Sequence, residues 1–428
     1  MPEFLTLLPP DEARDLLLSH LPQPVIDAES IDVVSALNRI LAEDIIAPQP
    51  LPDFQRTTVD GYAVRAQDTF GATDSLPTYL TLIGEVPMGD TPAFEIDAGQ
   101  CALIHTGGML PNGADAVVML EYTQSAHEKE IEIFRAVANG ENIIRIGEDV
   151  AKGQLILSKG SLLRPAEIGG LLALGIISIR VAKKIRVGLI STGDEVIDPS
   201  QAPRPGQVRD INSYTLGALV EKSGGVAKRY GIISDQLQVL KDAAALALSE
   251  CDVVIITAGS SASTRDMTAD VIRSLGEPGV LVHGINTRPG KPTILGVCNG
   301  KAVIGLPGNP VSALVNGYLF VVPVIEKLLD ALPKPKATVL ARLTVNLPSQ
   351  AGREDWIPVK LTTEILSHGD LKPPSSRDSV VSKIEYFAEP IFGKSNLIFT
   401  LASADGLLRI HPDATGLSAG EVVEVLLI

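Results

Sequence analysis

The chain has 428 residues, 45% of them hydrophobic and 20% charged, with a formal net charge of −15. That length exceeds what one hydrophobic core holds and suits about three domains, and the composition is that of an ordered globular protein. The acidic balance, with no run of Lys and Arg to oppose it, argues against nucleic acid or an anionic membrane surface as a partner.

Glu3, Asp11 and Glu12 leave the first residues without a signal-peptide pattern. Pro9-Pro10-Asp11-Glu12 opens a helix with acidic groups at the positive end of its dipole, and the pattern predicts it from 11 to about 41. Pro48, Pro50 and Pro52 then break the chain. Residues 53–147 carry short β-rich runs at 79–83, 102–105, 116–120 and 130–134, separated by Gly, Pro and Asn turns. They read as a small β domain inserted between helical segments. Residues 165–174 read as helix and 176–181 as extended chain.

From 184 to about 329, strands at 185–191, 226–233 and 252–257 alternate with helices at 212–223, 234–249 and 267–275. A hairpin turning at Asn299-Gly300 and a long helix from Pro310 complete this stretch. Such alternation implies a parallel sheet covered on both faces, with ligands at the carboxyl ends of its strands. Residues 333–335 form a proline linker, and 337–428 read as a compact all-β domain. The apolar stretches 171–179 and 318–325 fall short of the roughly 20 residues that cross a bilayer. Cys101, Cys251 and Cys298 are odd in number and lack metal-ligand spacing, so they read as reduced core thiols of a cytoplasmic protein.

Four loops at strand ends offer chemistry. In Ser191-Thr192-Gly193-Asp194-Glu195, the glycine permits a tight turn, the hydroxyls can bond an anion, and the carboxylates can hold a metal or take a proton. Alone, it also reads as an ordinary turn with solvated acids. Residues 257–266 combine small side chains, successive N–H groups and a helix start, which suits either an anion cradle or a simple N-cap. The Gly-Lys-Ser/Thr ending of a Walker loop is absent. Thr287-Arg288-Pro289-Gly290-Lys291-Pro292 sets two cations around a stiff turn, Arg288 as a fork and Lys291 as a point charge. Gly305-Leu306-Pro307-Gly308-Asn309-Pro310-Val311-Ser312 is a rigid entry to a helix, with Pro310 suited to the first helical position. Outside this region, Asp60 sits in a turn, and His105-Thr106-Gly107-Gly108 and Gly147-Glu148-Asp149 are polar glycine turns. His105, beside an apolar run, reads as a structural histidine.

In this order the segments resemble the MoeA family, whose eukaryotic relatives include the E domain of gephyrin. The matching pieces are Val59-Asp60-Gly61-Tyr62-Ala63-Val64-Arg65, Thr106-Gly107-Gly108 with Pro111-Asn112-Gly113-Ala114-Asp115-Ala116-Val117-Val118-Met119, Gly147-Glu148-Asp149, the Ser191 and Arg288 loops above, and 305–313. Each is weak, and the ordered set is specific. The resemblance implies a homodimer of four-domain subunits. Residues 1–52 with 148–183 would form a helical linker domain, 53–147 the inserted small β domain, 184–332 a MogA-like α/β pterin-binding domain, and 333–428 a C-terminal β barrel.

The implied activity is that of a molybdopterin molybdenumtransferase, which inserts molybdate into adenylyl-molybdopterin and releases AMP. Three anionic groups then share one cleft. The resemblance implies Mg2+ held by Asp235, Asp266 and Glu195, hard oxygen ligands of the kind it prefers. Arg288, Lys291, Ser312 and Arg353 would hold oxyanion. Ser191, Thr192, Gly193, Gly259, Ser260, Ser261, Pro307, Gly308, Asn309 and Pro310 would shape the substrate site. Asp60 and Glu195 are the main candidates for catalysis, with Thr106, Asp149, Asp235 and Asp266 beside them. Expected partners are a molybdopterin adenylyltransferase and apo-molybdoenzymes.

Three features depart from many relatives: Ser263 in place of the final loop glycine, Gly284 in place of a lysine, and Arg288 in place of another. They leave tungstate open as the metal substrate. A molybdopterin adenylyltransferase is the alternative enzyme, but most of this chain lies outside the α/β domain such an enzyme has. A non-catalytic cofactor carrier or scaffold would have no need of the four acids Asp60, Glu195, Asp235 and Asp266.

Overall fold

The computed structural model describes residues 7–258, 262–365 and 384–428. Two compact units emerge. One comprises Ser30–Leu37 and Leu41–Arg180, and the other holds Val181–Ile428 with Asn38–Ile40 and the N-terminal residues up to Glu29.

The smaller unit is built on a six-stranded sheet. Its strands run in the order Ala116–Met119, Gly61–Val64, Gln100–Ile104, Thr78–Val86, Glu130–Ile133, Thr123–His127. Alternation explains the buried faces: Ile131 and Ile133 point into the core while Glu130 and Glu132 stay at the surface. Gly61 is required by close approach, because a Cβ there would lie 2.0 Å from the Val118 carbonyl oxygen. Pro165–Ala173 is the helix expected at 165–174, and the Glu167 carboxylate accepts the Arg164 N–H at 2.9 Å to cap it.

The first helix departs from the expectation. It covers Pro10–His20, not 11 to about 41, and belongs to the larger unit. Pro22 and Pro24 follow it at once, and a proline pushes the residue before it out of helical geometry. Leu21 is accordingly extended, with ψ 142°, and Ala28–Asp32 is a strand.

The larger unit contains the α/β sheet, ordered Gly225–Ile233, Ile185–Thr192, Val253–Ala258, Lys301–Pro307, Ile294–Cys298, Pro278–His283. The first four strands are parallel and the last two join antiparallel. Val254, Ile256, Val303 and Leu240 are among the buried residues of its core. The hairpin turns at Asn299-Gly300 with φ 52° and 80°, as a type I′ turn demands. Beyond it, helix Pro310–Asn316 passes through a π segment, Gly317–Val321, into Val322–Leu328. Pro323 lacks an N–H, and a locally widened helix absorbs such a gap. This 19-residue stretch is long and apolar enough to cross a membrane, yet 61% of its most apolar 18-residue window is buried within the fold.

Five strands close the C-terminal barrel, in the order Glu354–Ile365, Ile384–Pro390, Thr338–Leu343, Val422–Leu427, Gly406–Ile410 and back to Glu354–Ile365. The short strand Thr287–Arg288 pairs in parallel with Glu354–Asp355, which sets the cationic turn against the barrel.

Candidate active-site cleft

Between the α/β layer and the barrel lies a cleft of about 960 Å³. It gathers six of the sequence-derived binding residues: Arg288, Lys291, Pro307, Asn309, Ser312 and Arg353. Arg288 and Lys291 are exposed on either side of Pro289-Gly290. Gly290 has φ 104°, a conformation that suits glycine alone. The facing loop is pinned from both sides. Asn212 Nδ2 donates to the Gly308 carbonyl at 2.8 Å, Asn309 Nδ2 donates to Ser395 Oγ at 3.0 Å, and the Val311 N–H donates to the Ser395 carbonyl at 3.0 Å. Gly308 and Pro310 therefore shape the loop without lining the cleft. Arg353 reaches it already engaged: its Nε and Nη2 fork onto Asp355 at 2.7 and 3.0 Å. Arg288 and Lys291 are free of that constraint and bring positive charge to the cleft, as does Lys394.

At the carboxyl ends of the parallel strands, Ser191 and Thr192 are buried. Ser191 Oγ donates to Asp210 Oδ2 at 2.8 Å, and Ser213 Oγ donates to the same oxygen at 2.6 Å. Ser191 thus supports the loop from within. Thr192 Oγ1 donates to Asp235 Oδ1 at 2.5 Å, and the Asp235 N–H donates to Asp194 Oδ1 at 3.3 Å. Gly193 adopts φ 143° beneath the exposed Glu195. Glu195 and Asp235 are not lining residues of the cleft. Gly259, Ser260 and Ser261, and the Asp266 side chain, lie outside the described residues. Among those described, no group of three or more His, Cys, Asp or Glu residues is spaced to hold a metal.

In the smaller unit, Asp60 and Thr106 come together. The Thr106 N–H donates to Asp60 Oδ1 at 2.8 Å and its hydroxyl does so at 3.2 Å. Those bonds, and then the nearby His105, hold the Asp60 carboxyl below its ordinary value. His105, expected to be structural, is held by neighbouring acids. Its ring lies half-buried between two carboxylates, with Nε2 3.0 Å from Glu85 Oε1 and Nδ1 3.8 Å from Asp60 Oδ1. Asp149 is exposed, and its N–H donates to the Leu51 carbonyl at 3.0 Å.

The chain matches the MoeA N-terminal region (domain I and II) over residues 8–175, a probable molybdopterin binding domain over 188–327, and the MoeA C-terminal region (domain IV) over 340–428. A putative molybdopterin biosynthesis protein of Methanocaldococcus jannaschii is 37% identical, across 99% of this chain and 98% of its own length. The chain belongs to the MoeA family. Among other family members, the molybdopterin molybdenumtransferase of Bacillus subtilis is 31% identical over 100% of this chain and 96% of its own. A crystal structure of a molybdopterin biosynthesis MoeA protein from Pyrococcus horikoshii OT3 superposes with a TM-score of 0.82 at 34% identity, covering 99% of this chain and 100% of that one.

Several residues of this MoeA-family cleft escaped the sequence. Trp356, Phe392 and Lys394 line it from the barrel, where alternation marks strands but not which end faces a neighbouring layer. Asp210, which lies outside the cleft lining, did carry a signal: an acid three residues before Ser213 at a helix start is a capping pattern, and its Oδ1 accepts the Ser213 N–H at 3.1 Å. The departure at Gly284 also has a structural basis. Its φ of 102° is a conformation a lysine would adopt only under strain.

Proposed function

We propose that the chain is a molybdopterin molybdenumtransferase, which inserts molybdate into adenylyl-molybdopterin with release of AMP to form molybdenum cofactor. The observation that carries this is the cleft itself: two cations on a rigid turn, opposite a pinned Pro-Gly-Asn-Pro loop, in a chain that matches its relatives end to end. Such a frame is paid for during folding, so little reorganisation remains when the anions arrive. Arg288 and Lys291 hold the oxyanion, Ser312 donates to it, and Arg353 offers the edge of its guanidinium not taken by Asp355. Asp60, kept ionised by Thr106, orients water or an exchanging ligand, and Glu195 serves as the second acid.

Asp235, Glu195 and Asp266 are the carboxylates that would hold Mg2+. Their donor chemistry suits a hard cation, although one oxygen of Asp235 is engaged by Thr192. The ion would neutralise the phosphates that these acids otherwise repel. The working assembly is a homodimer in the cytoplasm, supplied by an adenylyltransferase and emptied by apo-molybdoenzymes. Light scattering should give twice the mass of one chain.

Tungstate is the second reading. It stays open because the glycine-only backbone at 284 stands where many relatives carry a lysine. Reconstitution tests both readings, with purified adenylyl-molybdopterin, Mg2+, and molybdate or tungstate in turn. AMP release with recovery of a cofactor-dependent reporter enzyme is the expected result. Accumulation of adenylylated pterin from ATP and molybdopterin would point to an adenylyltransferase instead, and binding without AMP release to a carrier.

A further inference from the structure

We infer that Asn316 is a positioning residue, which fixes the Arg288–Lys291 turn against the helix carrying Ser312 so that both cations and the hydroxyl face one oxyanion. The role rests on the anion-binding cleft proposed above. Asn316 is fully buried. Its Nδ2 donates to the Ser312 carbonyl at 2.8 Å and reaches the Pro289 carbonyl at 3.5 Å. One amide group therefore spans the two segments that bring Arg288, Lys291 and Ser312 to the cleft.

The turn rests directly on that amide. A Cβ on Gly290 would lie 1.6 Å from Asn316 Nδ2, so the glycine and the asparagine are fitted to each other. The contact is held at a cost, because Asn316 Oδ1 is buried with no hydrogen-bond partner among the described residues. An unsatisfied buried acceptor weakens a fold, and an apolar side chain of similar size would avoid it. Stability alone does not account for an amide here, whereas placement of the cationic turn does. Asn316 also ends the regular α-helix, and the π segment Gly317–Val321 begins at the next residue. Helical irregularities of this kind often accompany functional sites.

The experiment compares the full-length protein with Asn316→Leu and Asn316→Ser, using sulfate as an inert oxyanion in calorimetry and molybdate in turnover. The leucine variant keeps the branched heavy-atom shape and removes both the donor and the orphaned acceptor. Its thermal midpoint should be retained, its sulfate Kd should weaken at least tenfold, and its KM for molybdate should rise in step while kcat holds. Serine keeps a hydroxyl donor too short to span both carbonyls, so its losses should fall between; it carries the comparison if the leucine variant does not fold. A lowered midpoint with unchanged anion affinity in the folded variants would mean a merely structural role and would overturn the inference, leaving the proposed function intact. If the wild-type chain itself binds neither sulfate nor molybdate, the anion-binding cleft falls, and the role of Asn316 with it.

Discussion

Asp60 illustrates how a short turn becomes chemistry. The sequence offered an acid in a glycine turn; the fold supplies two donors from Thr106, 2.8 and 3.2 Å away. Since its folded pKa is depressed, the charge is complete above the ordinary carboxylate value of 3.8 and is lost only as pH falls through the lower, folded one. Carbon-13 NMR should place the Asp60 midpoint below 3.8, and a midpoint above that value would contradict the hydrogen bonding described. Asp60→Asn keeps an acceptor for Thr106 but removes the charge. Turnover should drop on the order of a hundredfold with the melting temperature unchanged, and full retained activity would remove Asp60 from the mechanism. The cysteines answer a second residue-scale question. Cys101, Cys251 and Cys298 are all buried, and burial pushes Cys101 up to about 12 and Cys298 up to about 11. A thiol reagent at neutral pH should leave all three unmodified until the protein is denatured, and rapid labelling of the native chain would contradict that packing.

At the scale of elements, one buried acid joins three pieces of chain. Glu354, 2% exposed, opens the longest barrel strand and accepts the Trp356 indole N–H at 2.6 Å. Arg409, on the strand Gly406–Ile410, donates to Glu354 at 2.5 Å and to Asp11 of the first helix at 2.7 Å. Arg409→Ala strands the Glu354 charge. The loss should be about 2–3 kcal/mol, below the full figure for a buried pair, because Arg409 retains 34% side-chain exposure. Asp11→Asn removes an outer, half-exposed partner and should cost about 0–1 kcal/mol. Denaturant unfolding ranks the two, and an equal or reversed order would show that Glu354 is not the group at stake. Burial alone would raise the Asp11 pKa, but the hydrogen bond and charge of Arg409, with the charge of Arg14, outweigh it and hold it below 3.8. Its contribution is present above that value and lost as pH falls through the lowered one. The sequence marked helix, strand and turn well here because periodicity is local. It extended the first helix too far where two prolines intervene, and it could not pair Asp11 with Arg409, almost four hundred positions apart.

For the whole molecule, two units with separate cores imply that a single unfolding free energy does not describe the chain. The sole tryptophan, Trp356, lies in the unit with the barrel. Its fluorescence should follow that unit alone, while far-ultraviolet circular dichroism follows both, so their urea midpoints should differ. Coincident midpoints would mean that the units unfold as one. The amino-acid sequence by itself determined the α/β layer, the β insertion, the type I′ hairpin, the all-β C-terminal region and the rigid cationic and Pro-Gly loops. Each of these follows from side-chain spacing and backbone restriction over a few residues. Only the tertiary structure decided that Arg353 is engaged by Asp355, that Ser191 is turned inward to Asp210, that His105 lies between two acids, and that Asn316 sits beneath Gly290. Those facts depend on which distant segments pack together, and a charge or an amide has no fixed partner until chain closure brings one within hydrogen-bonding reach.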